Sequence, residues 1–547
     1  MKIKEKSAEI LTVDYKILTK ISPDIESFAG FPYIEPTVGR PWPLPQSETP
    51  GDGYMTVDPT DFTFQATGES CDILTKAFQR YQSIIFSHEN PTMHKPRNQK
   101  ERVSENLIGE GQLTSLNVNL ASPCEDYPYL NMDEQYELKI CAPDSPTEAT
   151  LDSNSIWGIL RGLETFSQIL VKNGSLYSVS CTQILDFPRY AHRGVHLDTS
   201  RHFLPLEKIL ENLDLMAMNK FNIFHWHIVD DQSFPYVSSV YPDLSAKGAW
   251  SDIHVYTLQD INIVVNYARD LGIRVIPEFD TPETEPQSEL TVRLIQAMKK
   301  ISVFLQNLFQ EIASRFPDHY LHLGGDEVPF TCWSRKLNSV SFSFKKNYKL
   351  FEIVYNRATI ENKRQFYEIK LWQKKFILSW RTYNMFLTYI VWEEVFNNGV
   401  QIAPDTVVHV WKHSSTPIWF YSEIASVTAA GYQALLSSCW YLNLIEYGTD
   451  WQKFYDCDPQ GFDGTDEQKS LVLGGEACMW AEYIDETNVI STMWPRAAPV
   501  AERLWSNKND TTSADEASPR LEEHRCRLFR RGYAVEPLGP SYCPEVL

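Results

Sequence analysis

The sequence predicts an α/β protein, a (β/α)8 TIM barrel preceded by a smaller two-layer α/β domain. Three observations predict it. From residue 193 onward, eight short apolar stretches recur, and most are followed by helical spacing. Repeated strand–helix units need a parallel sheet, and eight of them close into a barrel. Nearly every stretch ends in Asp, Glu, Trp or Tyr, at the strand end where a barrel hosts chemistry. Before residue 188 the pattern differs, with alternating strands around one amphipathic helix. A length of 547 residues exceeds one ordinary domain, and a hydrophobic fraction of 43% is enough for large cores.

In chain order, residues 1–35 read as a leader without regular structure. Met1–Gly30 is lysine-rich and lacks the apolar run of a signal peptide. Pro41, Pro43 and Pro45 open the first domain, assigned to 36–188. Leu116, Val118 and Leu120 alternate with polar residues, as in a half-buried strand, and 135–142 and 175–183 offer more strands. Ile156, Ile159, Leu160, Leu163, Phe166 and Leu170 recur at helical spacing behind the caps Asp152–Ser155. The barrel, 189–547, takes its strands from 193–198, 221–230, 272–280, 320–327, 388–394, 406–411, 433–441 and 471–482. Leu206, Ile209, Leu210, Leu213 and Met216 form one helical face, and Ile261, Ile263, Val264 and Ala268 another. Residues 336–387 break the pattern, being lysine-rich with weak periodicity and no clear caps.

Composition removes several functions. A net charge of −21 and a pI near 5.1 speak against nucleic acid as a partner. No run of 18 apolar residues exists, so no membrane span is expected. Ten cysteines lie scattered without CxxC pairs or histidine-rich spacing, so no metal site is expected. No glycine-rich phosphate loop is present, and no cofactor is expected. Cys71 with Cys124 and Cys526 with Cys543 are candidate disulfides, and Asn173 and Asn509 begin glycosylation sequons. Both features point to an oxidising route through the cell.

The chemistry centres on 320–328, YLHLGGDEV. Tyr320, Leu321 and Leu323 suit a buried strand, and Gly324 and Gly325 let a ligand approach the backbone. Asp326 and Glu327 then fall at a strand's carboxyl end. The other strand ends place Arg193, Asp198, Asp230, Asp231, Asp280, Glu394, Tyr441, Glu476 and Glu482 on the same rim, with Trp392, Trp411, Trp440 and Trp480. Acids with tryptophans are the vocabulary of glycoside hydrolysis, since a carboxyl protonates the leaving oxygen and flat rings pack on the sugar. Neighbouring strand residues face opposite ways, so Asp326 and Glu327 suit separate jobs. Glu327 is the acid, and Asp326 holds a substrate group that attacks. A 2-acetamido sugar supplies that group through its amide oxygen. Without further information Trp411 and Trp480 also suit barrel core, Asp231 a turn, and His225, His227 and His322 packing.

The sequence resembles the lysosomal β-N-acetylhexosaminidases of glycoside hydrolase family 20. The motifs that carry the likeness are RGLETFSQ (161–168), HRGVHLDTSRHFLP (192–205), NIFHWHIVDDQSFP (222–235), HLGGDEV (322–328), VWEEVF (391–396), LGGEACMWAE (473–482) and WPRAAPVAERLWS (494–506). The resemblance implies removal of terminal N-acetylglucosamine or N-acetylgalactosamine with retention, through an oxazolinium intermediate. It implies Glu327 as general acid/base, Asp326 as the residue orienting the acetamido group, and Tyr441 as partner of its oxygen. It implies Trp392, Trp411 and Trp480 as pocket walls, and Arg193 and Glu482 on the sugar hydroxyls. Asp230 and Asp280 follow as supporting acids, and Asn443 as a supporting side chain. A glycan with a terminal N-acetylhexosamine is the implied partner, the lysosome or secretion the implied location, and a homodimer the implied assembly.

Two departures stand out. The family continues FDTP with Gly-His and a long loop bearing a Trp and a Cys, whereas this chain reads Pro282-Glu283-Thr284 and turns helical. The active-site histidine is therefore missing, and Cys332 loses its usual mate. A catalytically impaired glycan-binding protein is thus the competing expectation. Position 444 is Leu where members acting on acidic substrates carry Arg, which favours neutral glycans.

Overall fold

The computed structural model describes residues 34–86, 111–142, 145–280, 298–326, 388–412, 418–446 and 448–543. Most of the leader, Glu283, Glu327, Cys332 and the divergent stretch 336–387 lie outside the described residues.

The first part of the chain is an eight-stranded mixed sheet. Its order is Thr63–Ala66, Ser115–Leu120, Ser145–Ser153, Tyr136–Ala142, Leu176–Asp186, Ser47–Val57 and Gly111–Gln112, with Val171–Asn173 paired beside Leu176–Asp186. Leu116, Val118 and Leu120 face inward, as their alternation predicts. Helices Asp72–Phe86 and Ile156–Ile169 pack together over this sheet. The second begins where Ser155 Oγ accepts the backbone N–H groups of Trp157 and Gly158, which would otherwise lack partners at a helix start.

A closed parallel barrel follows. Its strands are β1 (His192–Asp198), β2 (Ile223–Val229), β3 (Arg274–Phe279), β4 (Tyr320–His322), β5 (Thr388–Trp392), β6 (Val407–Val410), β7 (Gln433–Leu436) and β8 (Val472–Met479), and β8 pairs back onto β1. All eight expected strands are present. The expected helical faces are also found, in Leu206–Met218 and Leu258–Asp270; Ile263 alone turns to solvent, while Ile261, Val264 and Ala268 are buried. Two-residue periodicity sorts the strand side chains. Phe224 and Trp226 point outward to the helical shell, whereas Ile223, His225 and His227 point inward. Ile223, Ile276, Ile390, Val407 and Leu435 form an apolar plug inside the barrel. Above it the interior is polar, with histidines paired to Glu278 and Glu476.

The two parts share a buried seam. Glu134 accepts from Arg161 Nε at 2.9 Å, from Arg193 Nη2, and from Asn222 Nδ2 at 3.2 Å. Lys220 reaches Asp186 at 2.7 Å beside Tyr136. Among the described residues four disulfides are formed: the two expected, Cys71–Cys124 and Cys526–Cys543, and two that the sequence spacing does not pair, Cys141–Cys181 and Cys439–Cys457. Among the described residues no helix is long and apolar enough to cross a membrane.

Candidate active site

The strand expected over 320–327 stops at His322, because Gly324 and Gly325 take φ of +65° and +96°, left-handed values that favour glycine. Gly324 serves a neighbour. A Cβ there would sit 1.8 Å from Asp280 Oδ1. The Asp280 carboxylate fills that space and accepts the Gly325 N–H at 2.8 Å. The turn therefore delivers Asp326 into the mouth of the barrel instead of along a strand.

Around that mouth three indoles and a phenol converge. Trp392 ends β5 and is fully buried, its Nε1 donating to Glu278 Oε1 at 2.7 Å. Its ring lies 6.3 Å from Trp411 and 6.1 Å from Trp480. Trp411 is stacked 6.2 Å from Tyr441 and is fixed by Nε1–H donation to Glu394 Oε2 at 2.9 Å. Tyr441 is held in place by a bridge to Cys478 on β8 and lies 6.4 Å from Trp480. Among the described residues, three buried polar atoms of this mouth find no hydrogen-bond partner, Tyr441 Oη, Trp480 Nε1 and Asp326 Oδ1, and neither does Asn443 Oδ1. Native interiors rarely strand such atoms, so together they describe a ligand that supplies the partners.

Comparison with known proteins shows the family. The model of the "Glycosyl hydrolase family 20, catalytic domain" matches residues 190–285 and 283–508, and that of "beta-acetyl hexosaminidase like" matches 41–169. The chain belongs to glycosyl hydrolase family 20. The family match breaks in two at 283–285, where the sequence departs from the FDTP continuation. Identity is 40% to the beta-hexosaminidase alpha subunit of Rattus norvegicus over 92% of this chain and 95% of that protein. It is also 40% to the beta subunit of Homo sapiens, over 92% and 89%. The solved structure of Flavobacterium johnsoniae chitobiase superposes with a TM-score of 0.72 at 28% identity, covering 90% of this chain and 72% of that one. A Streptomyces coelicolor β-N-acetylhexosaminidase shares the fold with a TM-score of 0.64 at 20% identity, over 93% and 100%. The chain is a glycoside hydrolase of the lysosomal β-hexosaminidase type.

In this family-20 enzyme the geometry corrects several expectations. Arg193 is not on the rim. It starts β1, is fully buried, and donates to Glu134, to Lys220 O at 2.9 Å and to Tyr190 O at 2.7 Å. Six residues of strand put it about 16 Å from the carboxyl end. The rim arginine is Arg201, just past β1. Its guanidinium pairs with Asp230, lies 3.2 Å from Asp198 Oδ2, covers Trp480 at 5.0 Å and feels the charge of Glu482. The signal was present in the sequence, since SRH follows directly on the end of the strand. Trp440 is also misplaced, because it faces the outer core and donates to Phe454 O at 2.9 Å. Glu476 sits inside the barrel between His192 and His225. Asp231 is exposed, as a turn residue would be. His225, His227 and His322 serve as supports on Glu476, Glu278 and Asp230.

Burial sets the ionisation of the pocket. Asp280 is pushed up to about 7, first by desolvation and then by the charges of Glu278 and Asp230. Asp326 is raised well above the carboxylate range by burial, with Asp280, Glu278 and Glu394 adding to it. Glu393 is pushed to about 8 by burial and the adjacent Glu394. A buried acid with a raised folded-state pKa binds more protons folded than unfolded, so it favours the fold at low pH and loses that benefit as pH rises towards its folded value. The expected outcome is a Tm that falls by a few degrees from pH 6.5 to 8.5, a window in which Glu393 and Asp280 both act with the same sign. Glu393→Gln flattens that fall in a fluorimetric melt. A Tm that rises across the window contradicts it.

Proposed function

We propose that this chain is an exo-acting, retaining β-N-acetylhexosaminidase that removes terminal non-reducing N-acetylglucosamine or N-acetylgalactosamine from glycoconjugates, using the substrate's own acetamido oxygen as nucleophile. The single observation that carries the reading is the set of unpartnered atoms inside the tryptophan box. An acetamido group complements that set. The Tyr441 hydroxyl donates to its carbonyl oxygen, Asp326 accepts its N–H, and Trp392, Trp411 and Trp480 enclose its methyl.

The steps follow from that fit. Glu327 gives a proton to the glycosidic oxygen while the acetamido oxygen attacks the anomeric carbon, closing an oxazolinium ring. Positive charge appears on the amide nitrogen. The Asp326 carboxylate, which burial and its acidic neighbours disfavour, accepts the amide N–H and is stabilised by this developing charge, so the interaction is strongest in the transition state. The indole walls keep water from the ring until the leaving group departs. Water activated by Glu327 then opens the ring, and two inversions restore the starting configuration. Arg201, Asp230 and Glu482 hold the sugar hydroxyls, Asp280 braces the turn that carries Asp326, and Asn443 supports the outer edge. Exposed Leu444 and Ile445 offer no cation beyond Asn443, which suits neutral glycans. Lysosomal residence and a homodimer accompany the resemblance. The competing reading, an impaired glycan-binding protein, draws on the absent loop and its histidine, and that loss is expected to lower the rate.

The test is hydrolysis of a chromogenic N-acetylglucosaminide by the full chain at acidic pH, with the first-released anomer read by NMR. Release of the β-anomer, with no turnover of the matching glucoside, is expected. Release of the α-anomer, or equal turnover of the glucoside, refutes the mechanism.

A further inference from the structure

We propose that Glu394 is a positioning residue that sets the size of acyl group the pocket admits: by holding the Trp411 wall in place it restricts the sugar to a 2-acetamido group and excludes longer acyl chains. The inference rests on the box being the acetamido pocket. The reaction gives no task to Glu393, Glu394 or Lys412, yet all three stand against one wall of that box. Glu393 and Glu394 directly follow Trp392, where β5 gives way to the short helix Glu393–Asn397, and Trp411 and Lys412 directly follow β6. The two strand ends are clasped there. Glu393 Oε2 accepts the Trp411 backbone N–H at 3.2 Å, and Glu394 Oε2 accepts its indole N–H at 2.9 Å. Lys412 Nζ lies 3.5 Å from Glu393 Oε1 and 3.2 Å from Glu394 Oε1, so one cation spans both carboxylates. Hydrogen bonds to an ionised acceptor are shorter and stronger than neutral ones, so this clasp fixes both the main chain and the ring of Trp411.

The three indoles are not equally secure. Trp392 is fully buried and tied to Glu278. Trp480 is buried, its ring 4.2 Å from that of His196 and covered by Arg201. Trp411 alone of the three is half-buried. Stacking on Tyr441 and edge contact with Trp392 press on its ring from within the box, and the hydrogen bond to Glu394 holds the ring at its angle. A box walled by three indoles accepts a methyl. One more methylene overfills it unless a wall swings out, and a methylene in such a pocket is worth about 10–200-fold in kcat/KM. Trp411 is the wall that can swing. Both oxygens of Glu394 are engaged by Trp411 and Lys412, so it acts on the substrate through the wall and not by contact.

The test compares kcat/KM of the full chain on chromogenic N-acetyl- and N-propionylglucosaminides. Wild type is expected to prefer the acetyl substrate by about 10-fold or more. Glu394→Gln keeps an acceptor for the indole N–H and retains that preference. Glu394→Leu keeps the bulk, loses the acceptor and cuts the preference by about fivefold or more. A purely structural role would slow both substrates alike and leave the ratio where it was. The same preference is read without turnover, by calorimetry with free N-acetyl- and N-propionylglucosamine. A chain that binds these sugars and does not hydrolyse the glycosides therefore refutes the reaction and still decides the selectivity. An unchanged preference in Glu394→Leu overturns the present proposal and leaves the reaction standing, and so does a wild type that favours neither sugar. If Glu394→Leu does not fold, Lys412→Met, at a partly exposed side chain, takes its place. It frees the Glu394 carboxylate and is expected to lower the preference severalfold; no change there overturns the proposal as well.

Discussion

Asp326→Asn lowers kcat on a chromogenic N-acetylglucosaminide by about 10²–10³-fold while KM moves little. Asparagine keeps the shape and can still accept the amide N–H, so ground-state binding survives. It cannot ionise, so it offers no countercharge to the closing oxazolinium ring. The large term is electrostatic, because Asp326 is enclosed near Asp280, Glu278 and Glu394, where a charge interaction is weakly screened. Steady-state kinetics at a fixed acidic pH check it. A kcat within about threefold of wild type would remove Asp326 from the reaction, since an oriented donor or acceptor is ordinarily worth far more.

Glu134→Ala destabilises the protein by about 3–5 kcal/mol, the usual result of stranding buried charge. Glu134 is fully enclosed and faces two guanidiniums, Arg161 and Arg193, which burial already disfavours. Its charge holds both, and its own carboxyl stays below the usual range, with the two arginines outweighing desolvation. Removing it leaves two cations facing each other between sheet and barrel. Urea unfolding followed by fluorescence and by activity should show a lower midpoint, with activity per folded molecule unchanged. Undiminished stability would mean that the seam is held elsewhere, by Lys220 and Asp186 for instance.

The fold was legible because its signals are local. Leu116, Val118 and Leu120 alternate on the strand they build, and each barrel strand is a short apolar run closed by a polar or aromatic residue. The aromatic box was legible where a residue ends or directly follows a strand, as with Trp392, Trp411 and Trp480. It failed where face or height along the strand decides. Trp440 lies in the turn after Leu436, where strand alternation no longer sorts the side chains, and it faces the outer core. Arg193 and Arg201 bracket one strand, and only the position of its end tells the floor from the rim. The histidine pairs inside the barrel and the disulfides Cys141–Cys181 and Cys439–Cys457 join residues far apart in the chain, whose approach depends on strand pairing and barrel closure.

Asp280 occupies the volume a methyl group would need at Gly324. The two positions therefore vary as one unit. An alanine at 324 would behave as a lesion of Asp280, evicting its carboxylate and releasing the turn, although nothing catalytic had been altered. In this chain a change at either position without its mate reads as loss of the pair.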